Sequence, residues 1–67
     1  MKTVAEVGDW LARHGFERWV QVFTDNEIDG DALRQLSEAL LKELGVPLGP
    51  RVKLLRAIEA LAGDHDE

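Results

Sequence analysis

The sequence predicts an all-α domain, a compact bundle of five helices in which the C-terminal helix is the longest. Three observations carry that expectation. Apolar residues recur along the chain at helical spacing, so that one face of each segment is oily and the other polar. Helix-breaking and helix-capping residues interrupt the pattern at Gly15, at Asp29-Gly30, at Ser37 and from Gly45 to Pro50. No stretch alternates with the two-residue period of a strand.

Val4, Val7, Trp10 and Leu11 mark the buried face of a first helix over Val4 to His14, with Glu6, Asp9 and Arg13 between them and Gly15 as a left-handed cap. Phe16, Trp19, Val20 and Phe23 repeat the spacing over a second, shorter helix that gives out near Asp25-Asn26. Two Trp and two Phe fall within fourteen residues and are expected to fill one core. Asp29 can cap a brief third helix through Leu36, because its carboxylate accepts from free backbone N–H groups and sits at the positive end of the helix dipole. Ser37 caps a fourth, Glu38 to Leu44, which Gly45 closes. Pro50 suits a first helical turn, where a missing N–H loses nothing, so the last helix is expected from about Pro50 to Leu61. Its apolar stripe reads as Val52, Leu55, Ile58 and Leu61. Residues 1–3 are then an N-terminal extension, 4–61 the domain, and 62–67 an acidic flexible tail.

Sixty-seven residues without cysteine leave neither a disulfide nor a thiolate metal site to help a small core, so stability rests on helix packing. At 45% apolar residues there is enough oily surface to offset chain entropy. No apolar run could span a bilayer, and Met1 to Val4 shows no secretory core, which predicts a soluble intracellular, cytoplasmic protein or an excised intracellular module. The net charge of −5 makes nucleic acid a poor first partner. Its distribution says more than its sum. Residues 17–46 hold seven acids and three bases, residues 47–61 three bases and one acid, and residues 62–67 three acids.

The acids of Asp25 to Leu36 imitate a calcium loop, with Asp25, Glu27, Asp29 and Asp31 at alternating positions and Gly30 at the turn. Such a loop needs a bidentate glutamate at its twelfth position, where this chain has Leu36, so no metal site is expected. Catalysis is not expected either. His14 and His65 stand alone, Ser37 is accounted for as a cap, and no nucleophile or phosphate loop appears at motif spacing. No cofactor or small-molecule substrate is implied.

Two surfaces remain. Arg51, Lys53 and Arg56 put base at the start of the last helix, against the sense of the helix dipole, and flank an apolar Val52. A small apolar spot ringed by charge is a common way to build an interface, although three bases on a solvated helix face are also ordinary. Glu27, Asp29, Asp31, Glu38 and Glu43 are interleaved with Leu33, Leu40 and Leu41. In so short a helix Leu40 and Leu41 cannot both reach the core with ease, which leaves one of them to be an exposed anchor.

From Val4 to Leu61 the chain resembles the sterile alpha motif (SAM) domain, a five-helix interaction module. The resemblance lies in VGDWL, in Gly15-Phe16-Glu17 with Trp19 and Phe23, in NEIDGDAL, in LKELGV and in LGPRVKLLRAI, in that order and at that family's spacing. Trp19 replaces a usual tyrosine, Ala39 and Leu40 replace acidic residues, and Val52 replaces a basic or polar one. The resemblance implies protein–protein association, often head to tail, between a mid-loop face and an end-helix face. By position the first would draw on Glu27, Asp29, Asp31, Leu33, Glu38 and Leu40, the second on Gly49, Pro50, Arg51, Val52, Lys53 and Arg56. Because the faces differ, self-association would form a ring or a helical polymer. The alternatives are association with another SAM domain through one face only, RNA hairpin binding through the basic patch, which net acidity disfavours, and a folded spacer.

Overall fold

In the computed structural model, which describes residues 2–64, the chain forms five α-helices and one 3₁₀ turn, with no strand among the described residues. The helices are α1 (Val4–Arg13), α2 (Val20–Asp25), α3 (Gly30–Arg34), α4 (Glu38–Glu43) and α5 (Leu48–Asp64), and the 3₁₀ turn Glu17–Trp19 leads into α2. The all-α expectation holds. The chain divides into two compact units, Met1–Leu33 and Arg34–Glu67.

The first unit begins on a capping box that draws Thr3, part of the expected N-terminal extension, into the start of α1. Thr3 is the cap of α1: its Oγ1 accepts from the Glu6 N–H at 3.1 Å while the Glu6 carboxylate accepts in return from the N–H of Thr3 at 3.1 Å and of Lys2 at 2.6 Å. Three N–H groups near the helix start, where no intrahelical partner exists, are thereby satisfied. These two backbone donors, Lys2 first, hold the Glu6 carboxyl below the usual carboxylate range. The Lys2 carbonyl also accepts from the N–H of Gly30, at the start of α3, at 3.3 Å.

The core of this unit is Val7, Trp10, Leu11, Trp19, Phe23 and Leu33, each at most 8% exposed. Phe16 is only half-buried, so three of the four aromatics fill the core and the fourth rims it. A Cβ on Gly8 would meet Val20 Cγ1 at 3.4 Å, which is how closely α1 and the start of α2 approach. The His14 ring lies 4.8 Å from that of Trp10, and the Arg18 guanidinium 4.8 Å from the Trp19 ring centre.

In the second unit Leu41, Val46, Leu54 and Ile58 are buried, packing α4 on α5. The buried row of α5 is therefore Leu54 and Ile58, with Leu61 half-buried, and not the expected row led by Val52, which is 47% exposed. α5 also starts two residues before Pro50, with the Arg51 N–H already donating to the Pro47 carbonyl at 2.9 Å. Proline is neutral anywhere in a first turn, so it marks the beginning of a helix without fixing the residue. α5 runs on to Asp64, past the expected boundary at Leu61, and the remainder of the expected tail, 65–67, lies outside the described residues. α3 stops at Arg34, short of Leu36, because Ser37 must be extended (φ −124°, ψ 174°) for its Oγ to accept from the Leu40 N–H at 3.3 Å and cap α4.

Three helices end in the same way. After α1, α2 and α4 the chain turns through one left-handed residue, Gly15 (φ 83°), Glu27 (φ 55°) and Gly45 (φ 94°). The next N–H then reaches back to the third-from-last helical carbonyl: Phe16 to Leu11 at 2.8 Å, Ile28 to Phe23 at 2.9 Å, Val46 to Leu41 at 3.1 Å. This is the Schellman closure, and each time the residue that turns back is apolar while the carbonyl belongs to a core residue. Phe16 is consumed in the first of these, so the second helical segment begins after it, as the 3₁₀ turn.

Glycine enters the left-handed region freely, whereas an L side chain there costs roughly 1–2 kcal/mol. Gly15→Ala is accordingly expected to lower stability by about 1–2 kcal/mol, and Glu27→Gly to leave it unchanged or raise it by up to about 1 kcal/mol, in urea titrations. The Glu6 cap adds a pH dependence. Because its folded pKa is depressed, its stabilisation is present above the unfolded carboxylate pKa and is lost as pH falls through the folded value. Between about pH 6 and pH 3 the melting temperature of the native chain should fall more steeply than that of Glu6→Gln, by calorimetry.

Candidate interaction surface

Large apolar side chains that a fold leaves in water are the first places to look for a partner. Among the described residues three stand out: Leu40 at 47%, Leu48 at 61% and Val52 at 47% exposure. All three belong to the second unit. Leu41 takes the buried position on α4, fully covered, which leaves its neighbour Leu40 outside. On α5, Leu48 and Val52 are one turn apart on one face, and Val52 lies about 200° round the helix from Leu54, the core residue.

Leu48 lies outside the set of residues expected for the end-helix face. Its signal was the same spacing: once Leu54, Ile58 and Leu61 are taken as the buried row, Leu48 and Val52 fall together on the far side. Around this pair Gly49, Lys53 and Arg56 are exposed and Pro50 is half-buried, and the space a Cβ would occupy at Gly49 is open. The end-helix set thus stands at one helix start, with an apolar pair between bases.

Arg51 differs from the other bases. Its side chain is only 13% exposed, its Nη1 donates to the Val46 carbonyl at 3.1 Å, and its Nη2 lies 3.6 Å from Glu38 Oε2. Its Nε is buried without a hydrogen-bond partner among the described residues. A base near the start of α5, against the helix dipole, is thus engaged within its own unit.

The mid-loop residues divide between the units. Glu27, Asp29 and Asp31 lie along the turn from α2 into α3 in the first. Glu27 is exposed in its left-handed conformation, Asp29 is half-buried with Oδ1 accepting from the Ala32 N–H at 2.9 Å, and Asp31 is exposed in the first turn of α3. Glu38 and Leu40 stand exposed on α4 in the second. Leu33 must be corrected. It is 0% exposed, a core residue of the first unit with no surface to offer. The alternation of acids with leucines does not separate a rim leucine from a core one.

Among the described residues no three His, Asp or Glu side chains converge as a metal site. Nor is any helix there long and apolar enough to cross a membrane. What the geometry offers is surface: an apolar pair with bases at the start of α5, and an apolar residue with an acid on α4.

Comparison with known proteins agrees with the resemblance read from the residues. The chain is 32% identical over 66 residues to stress-activated protein kinase alpha of Dictyostelium discoideum, covering 97% of this chain and 10% of that protein. It is 41% identical over 54 residues to the deoxynucleoside triphosphate triphosphohydrolase SAMHD1 of Danio rerio, covering 79% of this chain and 9% of that one. With the WD repeat, SAM and U-box domain-containing protein 1 of Gallus gallus it shares 42% over 57 residues, or 84% of this chain and 12% of the relative. The chain therefore spans about a tenth of the length of these relatives. No solved structure gives a significant match. The family described as SAM domain (Sterile alpha motif) matches residues 1–62, and the chain belongs to that family, whose members generally serve as protein-interaction modules.

Proposed function

We propose that this chain is a non-catalytic interaction module that associates with further copies of itself, head to tail. The start of α5 is one side of the contact, with Leu48 and Val52 as anchors and Lys53 and Arg56 as charged rim. The other side is acidic, with Leu40 as anchor and Glu38 beside it. In the first unit, Glu27, Asp29 and Asp31 are candidates for contact by their place in the family pattern alone. The observation that carries the reading is the location of exposed apolar surface. Among the described residues, Leu40 and Val52 are exposed at positions that the pattern marks for contact, and the third exposed large apolar residue, Leu48, lies one turn before Val52.

Opposite charge would speed encounter and set register, while the apolar anchors would supply most of the affinity. Since the two sides are unlike, an open assembly always keeps one of each unsatisfied at its two ends, and it grows as a helical polymer unless it closes into a ring. The activities named for two relatives belong to chains about ten times as long and are not assigned here.

Sedimentation velocity across concentration and salt tests this. The native chain should grow with concentration and shrink with added salt. Val52→Glu should remain monomeric with unchanged helicity by circular dichroism, its affinity reduced by at least about 2 kcal/mol, roughly thirtyfold. A native chain that stays monomeric at high concentration and low salt would end the self-association reading. Capture of a different SAM domain by that monomer would then support hetero-association.

A further inference from the structure

We propose that Arg51 is a positioning residue for the acidic side of the contact: it braces α4 against the start of α5, so that Leu40 is presented, and is not itself a charge offered to a neighbour. The inference rests on the self-association reading above for its consequence, but its physical basis lies wholly within the second unit. Glu38 is the first residue of α4, and Val46 is the residue whose N–H closes that helix at its other end. One guanidinium reaches both, with Nη1 on the Val46 carbonyl at 3.1 Å and Nη2 at 3.6 Å from Glu38 Oε2.

α4 is only six residues long, too short to persist unaided. Leu41 anchors it from below, fully buried, and Ser37 caps its start. Leu40 stands in sequence between the two points that Arg51 ties, Glu38 and Val46. The pair with Glu38, whose side chain is 64% exposed, is loose and screened, so the bond to the carbonyl is the firmer tie. At 13% exposure the Arg51 side chain has little surface for a second molecule, in contrast with Lys53 and Arg56, which are exposed.

Two half-blocked copies make the test. Val52→Glu leaves only the acidic side competent and Leu40→Glu only the basic side, so a mixture should form one-to-one pairs measurable by calorimetry. Arg51→Met placed in the Val52→Glu copy should weaken pairing at least tenfold. The same change in the Leu40→Glu copy should weaken it less than threefold and leave its salt dependence unaltered. The reverse pattern, with the loss in the basic-side copy, would make Arg51 a contact charge and overturn the proposal.

Arg51→Met should also lower the melting temperature of the Val52→Glu monomer by roughly 5 °C or more and shift the Leu40 amide resonance. If that variant fails to fold, Arg51→Lys, which keeps the charge but not the fork, should still weaken pairing severalfold in the acidic-side copy; native behaviour there would overturn the brace. If the half-blocked copies do not pair at all, self-association fails. The brace is then judged on the melting temperature and the Leu40 resonance alone, and no change in either refutes it.

Discussion

Short helices need defined ends, and the left-handed closure after α1, α2 and α4 is the constraint on which the other features depend. The three helices so closed are ten, six and six residues long, short of what holds a helix together in isolation. Each stop turns the chain back at once and seats an apolar residue, Phe16, Ile28 or Val46, over the last turn. At α4 the same closure aims the Val46 carbonyl at Arg51, so the helix stop and the brace are one piece of chemistry. Glu27 is the exception among the three stops, holding by tertiary context a conformation that Gly15 and Gly45 adopt freely.

The parts of this architecture that were legible in the sequence are those with a local chemical cause. Gly15 and Gly45 announced their stops because glycine alone has no penalty there, and Ser37 and Asp29 announced their caps through a short oxygen side chain. Glu27 gave no sign, since nothing in a glutamate marks a positive φ. Thr3 and Glu6 carry the spacing of a capping box, a local signal as direct as that of Ser37. The register of α5 is ambiguous in the sequence for a different reason. Val52, Leu54 and Leu55 are all apolar, so several stripes fit the same letters, and only packing against α4 selects the row of Leu54 and Ile58.

The candidate surface was legible to the same degree. Val52 and Leu40 were marked by standing where the family pattern has polar residues, and both are exposed. Leu48 was missed because a leucine near proline and glycine reads as part of a turn, although its spacing from Val52 would have placed it. Leu33 and Arg51 were drawn to the surface by their neighbours in sequence and were turned inward by the fold. A charged residue among other charged residues carries no local signal of which one will reach a buried carbonyl.

A contact centred on α4 and the first turns of α5 is the central claim. Amide NMR on a dilution series tests it most directly, residue by residue and without substitutions. The amides of Leu40 and of residues 48–56 should shift or broaden as concentration rises at low salt, while those of 4–13 on α1 stay fixed. Spectra that do not change with concentration, or changes confined to α1, would contradict it.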